Sequence, residues 1–466
     1  MTHSETAPRE LLSGWGCTSP TLATVHRPDD LEHIVSRVTA PSPRGVIARG
    51  LGRSYGDAAQ NAGGDVLSCG NLDAVLAIDV EKGTVTVESG VSLDTLLRVL
   101  LPLGWFPMVI PGTSYVTVGG AIASDIHGKF RHGSFADYVD RMRVVTPARG
   151  ACTLEPDADA NGFWATSGGM GLTGVITEAT LKLQPVETSR IVSDTERTND
   201  IDDCMARMLD RDHEYRYSVA WIDCLAPGGH LGRAVLARGN HAALDELPAS
   251  DRSTARDYAP RTLLAAPPWI PNGLINFFSV RAFNEAWFRK APRTPQRHVE
   301  GIKPFFFPLD GVRDWNRVYG SRGFVQYQFV VPFGAERVVR TALERFHVAR
   351  VPTFVAVLKR FEHDSRSLIG FPMSGWTLAL DIPASPGLAP LLDGLDELVV
   401  EAGGRVYLTK DSRLRPELLD AMYPRLDEWR TVRAAIDPEN LMRSDMDRRL
   451  DLSGSGRKRR MTEGSA

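Results

Sequence analysis

The sequence predicts an α+β protein whose glycine-rich first part is followed by an antiparallel sheet with helices on one face. Three observations lead there. Residues 20 to 190 alternate short helical patterns with short β-runs, with a loop every few residues. A literal G-x-G-x-x-G, Gly169 to Gly174, runs into Val175 to Leu183, where Val175, Thr177, Ala179, Leu181 and Leu183 share one face and Glu178, Thr180 and Lys182 the other. That period of two makes a strand. In the second half, strand-like and helical runs alternate in repeated β-α-β units.

In chain order, Val46-Ile47-Ala48 is a β-run leading into ARGLGRSYGD, residues 48 to 57. Gly50, Gly52 and Gly56 can turn successive backbone N–H groups toward one point, making a nest for an anion; an ordinary glycine-rich turn is the alternative. Thr84 to Glu88 alternates as a strand, and Leu93 to Leu101 has amphipathic helical spacing. Pro111 to Ala123 offers hydroxyls, small residues and bare backbone over thirteen positions, which suits an extended ligand along the main chain. A dinucleotide fingerprint needs a helix opening at its last glycine. The strand after Gly174 excludes that reading, although the glycines still permit close backbone approach. From about 190 the composition changes. Tyr215 to Ile222 reads as β, Leu263 to Val280 is apolar and proline-rich, and Arg281, Arg289, Lys290, Arg293, Arg297 and Lys303 follow it. Strands are expected at Gly323 to Val331, Thr353 to Phe361 and Gly375 to Ile382, helices at Ala335 to Arg345 and Leu388 to Ala402, and a mostly helical end over Pro416 to Leu450.

Composition narrows the function classes. With 466 residues, 43% hydrophobic, and a formal net charge of −3, the chain can bury a large core and lacks the basic excess of a nucleic-acid binder. Five cysteines without a C-x-x-C pair give neither a disulfide framework nor a zinc site, and no metal site is expected. The cysteine usage reads as reduced and intracellular. The first ten residues lack a signal-peptide pattern, and prolines interrupt the longest apolar stretches, so no membrane span is expected. The run Arg457-Lys458-Arg459-Arg460 lies in a Ser/Gly-rich end, read as a disordered tail over 453–466.

The ordered loops A-R-G-L-G-R-S-Y-G-D, P-G-T-x-x-V-T-V-G-G-A-I-A and W-A-T-x-G-G-x-G-L-T-G resemble the FAD-binding domain (PCMH type, two subdomains) of the vanillyl-alcohol oxidase superfamily. Asp125 to Lys129, Gln326 to Phe329, Thr409 to Arg413 and Met422 to Trp429 narrow the resemblance to its polyprenylphosphoryl-ribose oxidases, over about Gly14 to Leu450. The resemblance implies an FAD-binding domain over 10–188, a substrate-binding domain over 189–404 and a C-terminal segment, 405–452, returning to the first. It implies FAD as cofactor and oxidation of the 2′-hydroxyl of a polyprenylphosphoryl-β-D-ribose to the 2′-keto sugar. This is the first half of an epimerisation to the arabinose donor of cell-wall arabinan. A separate NADH-dependent short-chain reductase is the implied partner. A flavin oxidase passing electrons to oxygen and acting on another sugar or alditol is the alternative, separable by peroxide release.

By the same carry-over, FAD is held by Arg49, Gly50, Leu51, Gly52, Arg53, Ser54 and Tyr55, by Pro111, Gly112, Thr113, Thr117, Val118, Gly119, Gly120 and Ala123, and by Gly171, Gly174, Ile176 and Tyr407. Arg53 stands where many relatives carry the histidine that bonds the flavin covalently, so the FAD is expected to be non-covalent. Lys410 ends the run Arg405 to Lys410 and, on a strand, shares a face with Val406 and Leu408. Apolar walls there can lower a lysine's pKa enough for it to act as a base, or the lysine can remain charged and steady an alkoxide or the reduced flavin, whereas a solvated strand end is the plain alternative. The resemblance aligns Lys410 with the family's active-site lysine. It adds Tyr55 and His127 as catalytic groups, and Lys129, Trp221, Tyr319, Gln326, Gln328, Lys359, Thr377 and Ala379 as the substrate pocket. Thr377 and Ala379 replace an Asn and a Cys common in the family, and the loop Phe130 to Phe135 is shorter. The segment 263–280 is expected to suit a polyprenyl tail or to lie peripherally on the inner membrane surface of an otherwise cytoplasmic protein.

Overall fold

A computed structural model describes residues 7–260 and 264–456. Leu263 and the Arg457 to Arg460 run lie outside them. The first part of the chain builds two sheets. Strands Arg9–Leu12, Thr21–His26, Asp65–Ser68 and Val46–Arg49 lie side by side in that order, the first pair antiparallel and the others parallel. Parallel neighbours are apolar on both faces; accordingly Val46, Ile47, Val66 and Leu67 are fully buried. The second sheet orders Val75–Asp79, Thr84–Glu88, Val175–Pro185, Val139–Thr146 and Gly150–Leu154, with Trp105–Pro107 also pairing to the long third strand. The run after the G-x-G-x-x-G is thus a strand of eleven residues. Helix Leu93–Leu100 buries Leu93, Leu96, Leu97 and Leu100, one stripe at helical spacing, and Ser92 caps it by accepting from the Thr95 N–H at 3.0 Å.

Beyond residue 189 one antiparallel sheet of eight strands dominates, in the order Gln296–Gly301, Arg190–Thr198, Ala234–His241, Tyr217–Ile222, Ala356–Phe361, Gly375–Pro383, Phe324–Pro332 and Arg405–Val406. Register decides what each face does, because residues directly opposite one another point the same way. Ala220, Leu358, Leu378 and Phe329 form one such row, and all are fully buried under helices Ile201–Arg211, Glu336–Val348 and Leu388–Glu401. The adjacent row, Trp221, Val357, Ala379 and Gln328, points to the opposite face. The helices therefore leave that face free to roof a site.

Two strands are shorter than their sequence pattern. The one expected from Thr353 begins at Ala356. The one expected over Arg405 to Lys410 stops at Val406, after which Leu408–Lys410 form a single 3₁₀ turn. The edge strand pairs through Arg405 and Val406, the Tyr407 N–H still donates to the Gln328 carbonyl at 2.9 Å, and the Lys410 and Asp411 N–H groups then bond back to the Tyr407 carbonyl. Helix Leu426–Ile436 packs on helix Ala160–Thr166: Trp429 is fully buried and its Nε1 donates to the Ala165 carbonyl at 2.9 Å. Order extends through Ser453 and Gly456, whose N–H groups donate to Asp447 and Asp451. Among the described residues no helix is long and apolar enough to cross a membrane. The apolar segment leads into helix Phe277–Lys290, so part of the basic stretch lies on that helix.

Candidate active site

A narrow cleft lies between these first two sheets. One wall is the loop after Val46–Arg49, with Arg49, Gly50 and Ser54. The opposite wall is the short helix Val118–Ala123, with Thr117, Gly119, Gly120 and Ala123, closed by Gly171, Gly174 and Ile176. Neither wall has space to spare. A Cβ on Gly50 would sit 2.3 Å from Thr117 Oγ1, and one on Gly119 would sit 2.8 Å from Ser89 Cβ. Ser89 Oγ lines the cleft and is buried without a hydrogen-bond partner. Bare backbone, hydroxyls and an orphaned donor suit an extended polar ligand such as the ribityl-pyrophosphate of FAD.

Several residues named from the loops support this cleft instead of lining it. Leu51 is 45% exposed and Val118 is fully buried in the core. Gly52 takes φ of +65° against the Arg49 guanidinium, which itself donates to the Ser13 and Ala59 carbonyls. Arg53 lies over the Trp15 ring at 3.8 Å. In the Pro111-Gly112-Thr113 turn, the Thr113 hydroxyl and the Ser114 N–H both donate to Asp310 at 2.7 Å, which fastens the turn to the 3₁₀ helix Pro308–Gly311. The Tyr407 hydroxyl donates to the Ser124 carbonyl at 2.8 Å behind the cleft wall. Ser89, Ser124, Thr166 and Met170 line the cleft without having been named; the only sequence sign for Ser89 is a Ser-Gly at the end of an alternating strand.

From Ser54 the chain leads on from the cleft to the segment that carries Lys410. Tyr55 follows the cleft residue Ser54, its N–H donating to the Thr409 carbonyl at 3.0 Å, and this sets Lys410 beside it. The Lys410 ammonium lies 3.8 Å from the centre of the Tyr55 ring. Thus the lysine reaches the pocket from a 3₁₀ turn, not from a strand. Across the sheet Gln326 pairs in register with Asp381, and its Nε2 donates to Asp381 Oδ1. Asp381 is 1% exposed and its Oδ2 has no partner. Burial lowers Lys410 below the usual lysine range and raises Asp381 above the usual carboxylate range. Each group is thus brought toward neutrality by burial, and the charge on either one favours the charge on the other.

Gln328 Nε2 bridges His127 Nε2 at 2.8 Å and Thr377 Oγ1 at 3.1 Å. His127 is boxed by the Phe361, Phe371 and Tyr407 rings, and burial, reinforced by Lys359 and Lys410, keeps it neutral. Lys359 stands opposite Thr377, pushed down to about 8 by burial. Tyr319 stacks on Phe324 at 4.2 Å, and Phe324 meets Tyr55 at 5.4 Å. Trp221 and Ala379 lie in the Gln328 row. Lys129 is committed elsewhere, its ammonium donating to the Phe305 carbonyl and lying 4.2 Å from that ring's centre. Asp381 went unnamed by sequence reasoning. Its signal was a carboxylate on the same strand face as Thr377 and Ala379 in an otherwise apolar run.

The FAD binding domain family matches residues 21–153. The chain is 43% identical over 450 residues to the decaprenylphosphoryl-β-D-ribose oxidase of Mycolicibacterium smegmatis, covering 95% of this chain and 97% of that protein. It is 41% identical over 374 residues to an uncharacterized protein of Streptomyces coelicolor, covering 78% and 100%. Rice (Oryza sativa subsp. japonica) cytokinin dehydrogenase 4 is 30% identical over 184 residues, 36% of this chain and 32% of that one.

Proposed function

The chain belongs to the decaprenylphosphoryl-β-D-ribose oxidase family, and on that premise we propose that it oxidises the 2′-hydroxyl of a polyprenylphosphoryl-β-D-ribose to the 2′-ketone. It is an FAD-dependent oxidoreductase. The observation that supports this substrate chemistry is the buried Lys410–Asp381 pair, set between the cleft and a row of fixed amides.

When bound, FAD supplies the hydride acceptor. Gly50, Ser54, Thr117, Gly119, Gly120, Gly171 and Gly174 would hold it. The chain's own groups handle the proton and the sugar. Neutral Lys410 accepts the hydroxyl proton at Nζ, and Asp381 stabilises the ammonium that results. Gln326 and Gln328 are fixed in rotation by Asp381, His127 and Thr377, so their amide edges orient sugar hydroxyls without a further entropic cost. Tyr55, Tyr319 and Phe324 exclude water from the same space.

The same proposal includes a separate NADH-dependent reductase that returns the ketone to the arabinose configuration. It also includes a peripheral membrane contact through 264–280, supported by Leu264, Trp269 and Leu274, which are 68, 77 and 50% exposed. Anaerobic addition of polyprenylphosphoryl ribose to the yellow protein tests the function. Bleaching of the flavin band is expected, with slow reoxidation and little peroxide in air. A band left unchanged by this sugar, together with rapid peroxide release on an alditol, would replace the proposal with an oxygen-using oxidase.

A further inference from the structure

A surface helix ordinarily turns its aromatic residues inward. Helix Phe277–Lys290 buries Val280 and Asn284 but leaves Phe283 and Trp287 39 and 42% exposed. Its position is fixed by polar contacts: Asn284 Nδ2 donates to Asp223 Oδ1 at 2.7 Å, and Glu285 accepts from Arg233 at 2.6 Å. Phe283 and Trp287, one turn apart, stack with ring centres 6.1 Å apart and form a ridge along the helix margin.

Both ends of that ridge lead toward the pocket face of the sheet. Trp287 meets the edge of Trp221 at 6.5 Å, and Trp221 shares its register row with Ala379 and Gln328. Phe283 packs on Phe354 at 4.9 Å, and Phe354 joins the cluster of Tyr319 and Phe324 that meets Tyr55. A contiguous apolar surface open to solvent needs an occupant. Its continuity along the Trp221–Gln328 face makes the tail of the molecule seated beside Gln328 the occupant that fits it. Lys290 adds a cation 5.7 Å from the Trp287 ring, matched to a phosphate.

We propose that Trp221, Phe283, Trp287 and Phe354 seat the isoprenoid chain next to the substrate phosphate, and that this ridge sets the preference for a lipid-linked sugar. The proposal rests on the function given above and deepens it. Ribosyl phosphates carrying one isoprene unit and several units, compared in anaerobic flavin reduction, test it in the FAD-loaded protein. Each buried methylene is worth about fourfold in affinity, so the wild type is expected to favour the longer chain by about tenfold or more in half-saturating concentration. In the Phe283→Ser, Trp287→Ser double variant, checked for an unchanged flavin spectrum and melting point, that ratio is expected to collapse toward one. A variant that keeps the wild-type ratio overturns the seat. So does one that keeps the ratio while losing binding to anionic phospholipid vesicles, which would make the ridge a membrane anchor. If the wild type is reduced by neither compound, the function falls and the seat with it; if it is reduced equally by both, the seat alone falls.

Discussion

Replacing Asp381 by Asn changes one charge in the pocket and almost nothing else. Asn is isosteric, can still meet Gln326, and sits where the carboxylate is 1% exposed. Its effect is read at Lys410. Burial and Lys359 lower that lysine, and Asp381 is the group that raises it. Removing the counter-charge therefore lowers Lys410 further, by about 1–3 pH units, the usual effect of an opposite charge on a buried group. That corresponds to about 1.4–4 kcal/mol of charge stabilisation. The sign follows from the role assigned: the neutral amine is the base, so flavin reduction rises with pH as Lys410 loses its proton. A lower pKa moves that ascending limb to lower pH by about 1–3 units, and the weaker base lowers the plateau. Anaerobic stopped-flow reduction across the neutral range measures both. An ascending limb at the wild-type pH in Asp381→Asn would refute the claim that this carboxylate sets the charge of Lys410. Rates that fall with pH, with the descending limb moved to lower pH in the variant, would show that the cation is the working form.

Other outcomes follow from the same geometry. Lys410→Ala should stay yellow yet slow flavin reduction by about 10²–10⁴-fold, the usual range for a lost general base; equal rates in single-turnover reduction would count against it. Gly50→Val should purify with little flavin, because a Cβ there lies 2.3 Å from Thr117 Oγ1, and the ratio of flavin to protein absorbance reports this. With Arg53 against Trp15 and no histidine at that position, acid precipitation should leave the yellow colour in the supernatant, whereas a yellow pellet would mean a covalent bond. Glu196→Gln leaves Arg238, 1% exposed at its side chain, without its buried counter-charge. Denaturant unfolding should show a loss of about 3–5 kcal/mol.

The α+β class and the antiparallel second sheet were legible because period two and period 3.6 were both clean, as in Val175 to Leu183 and Leu93 to Leu100. The G-x-G-x-x-G was dismissed correctly for a physical reason: β-branched residues follow it, and the chain continues as a strand. The 3₁₀ turn at Lys410 was not legible, since Val406, Leu408 and Lys410 alternate like a strand and only the loss of edge pairing after Tyr407 ends it. The resemblance named most of the free sheet face, Trp221, Gln326, Gln328, Thr377 and Ala379, but cross-strand register is what brings them together. Asp381 and Ser89 escaped notice because their meaning lies in burial and in a missing partner, and neither is written in local sequence. The aromatic ridge escaped for a related reason: Phe283 and Trp287 look like ordinary core spacing until the helix is seen to bury Val280 and Asn284 instead.

The central claim is that the bond broken is the C2′–H bond of the ribose. Polyprenylphosphoryl ribose carrying deuterium at C2′, compared with the unlabelled compound in anaerobic single-turnover reduction, addresses it directly. A slower bleaching of the flavin band with the C2′ label, absent when the label is at C3′, is the expected result. Identical rates for the C2′-labelled and unlabelled sugars, with the slowing transferred to another position, would contradict it.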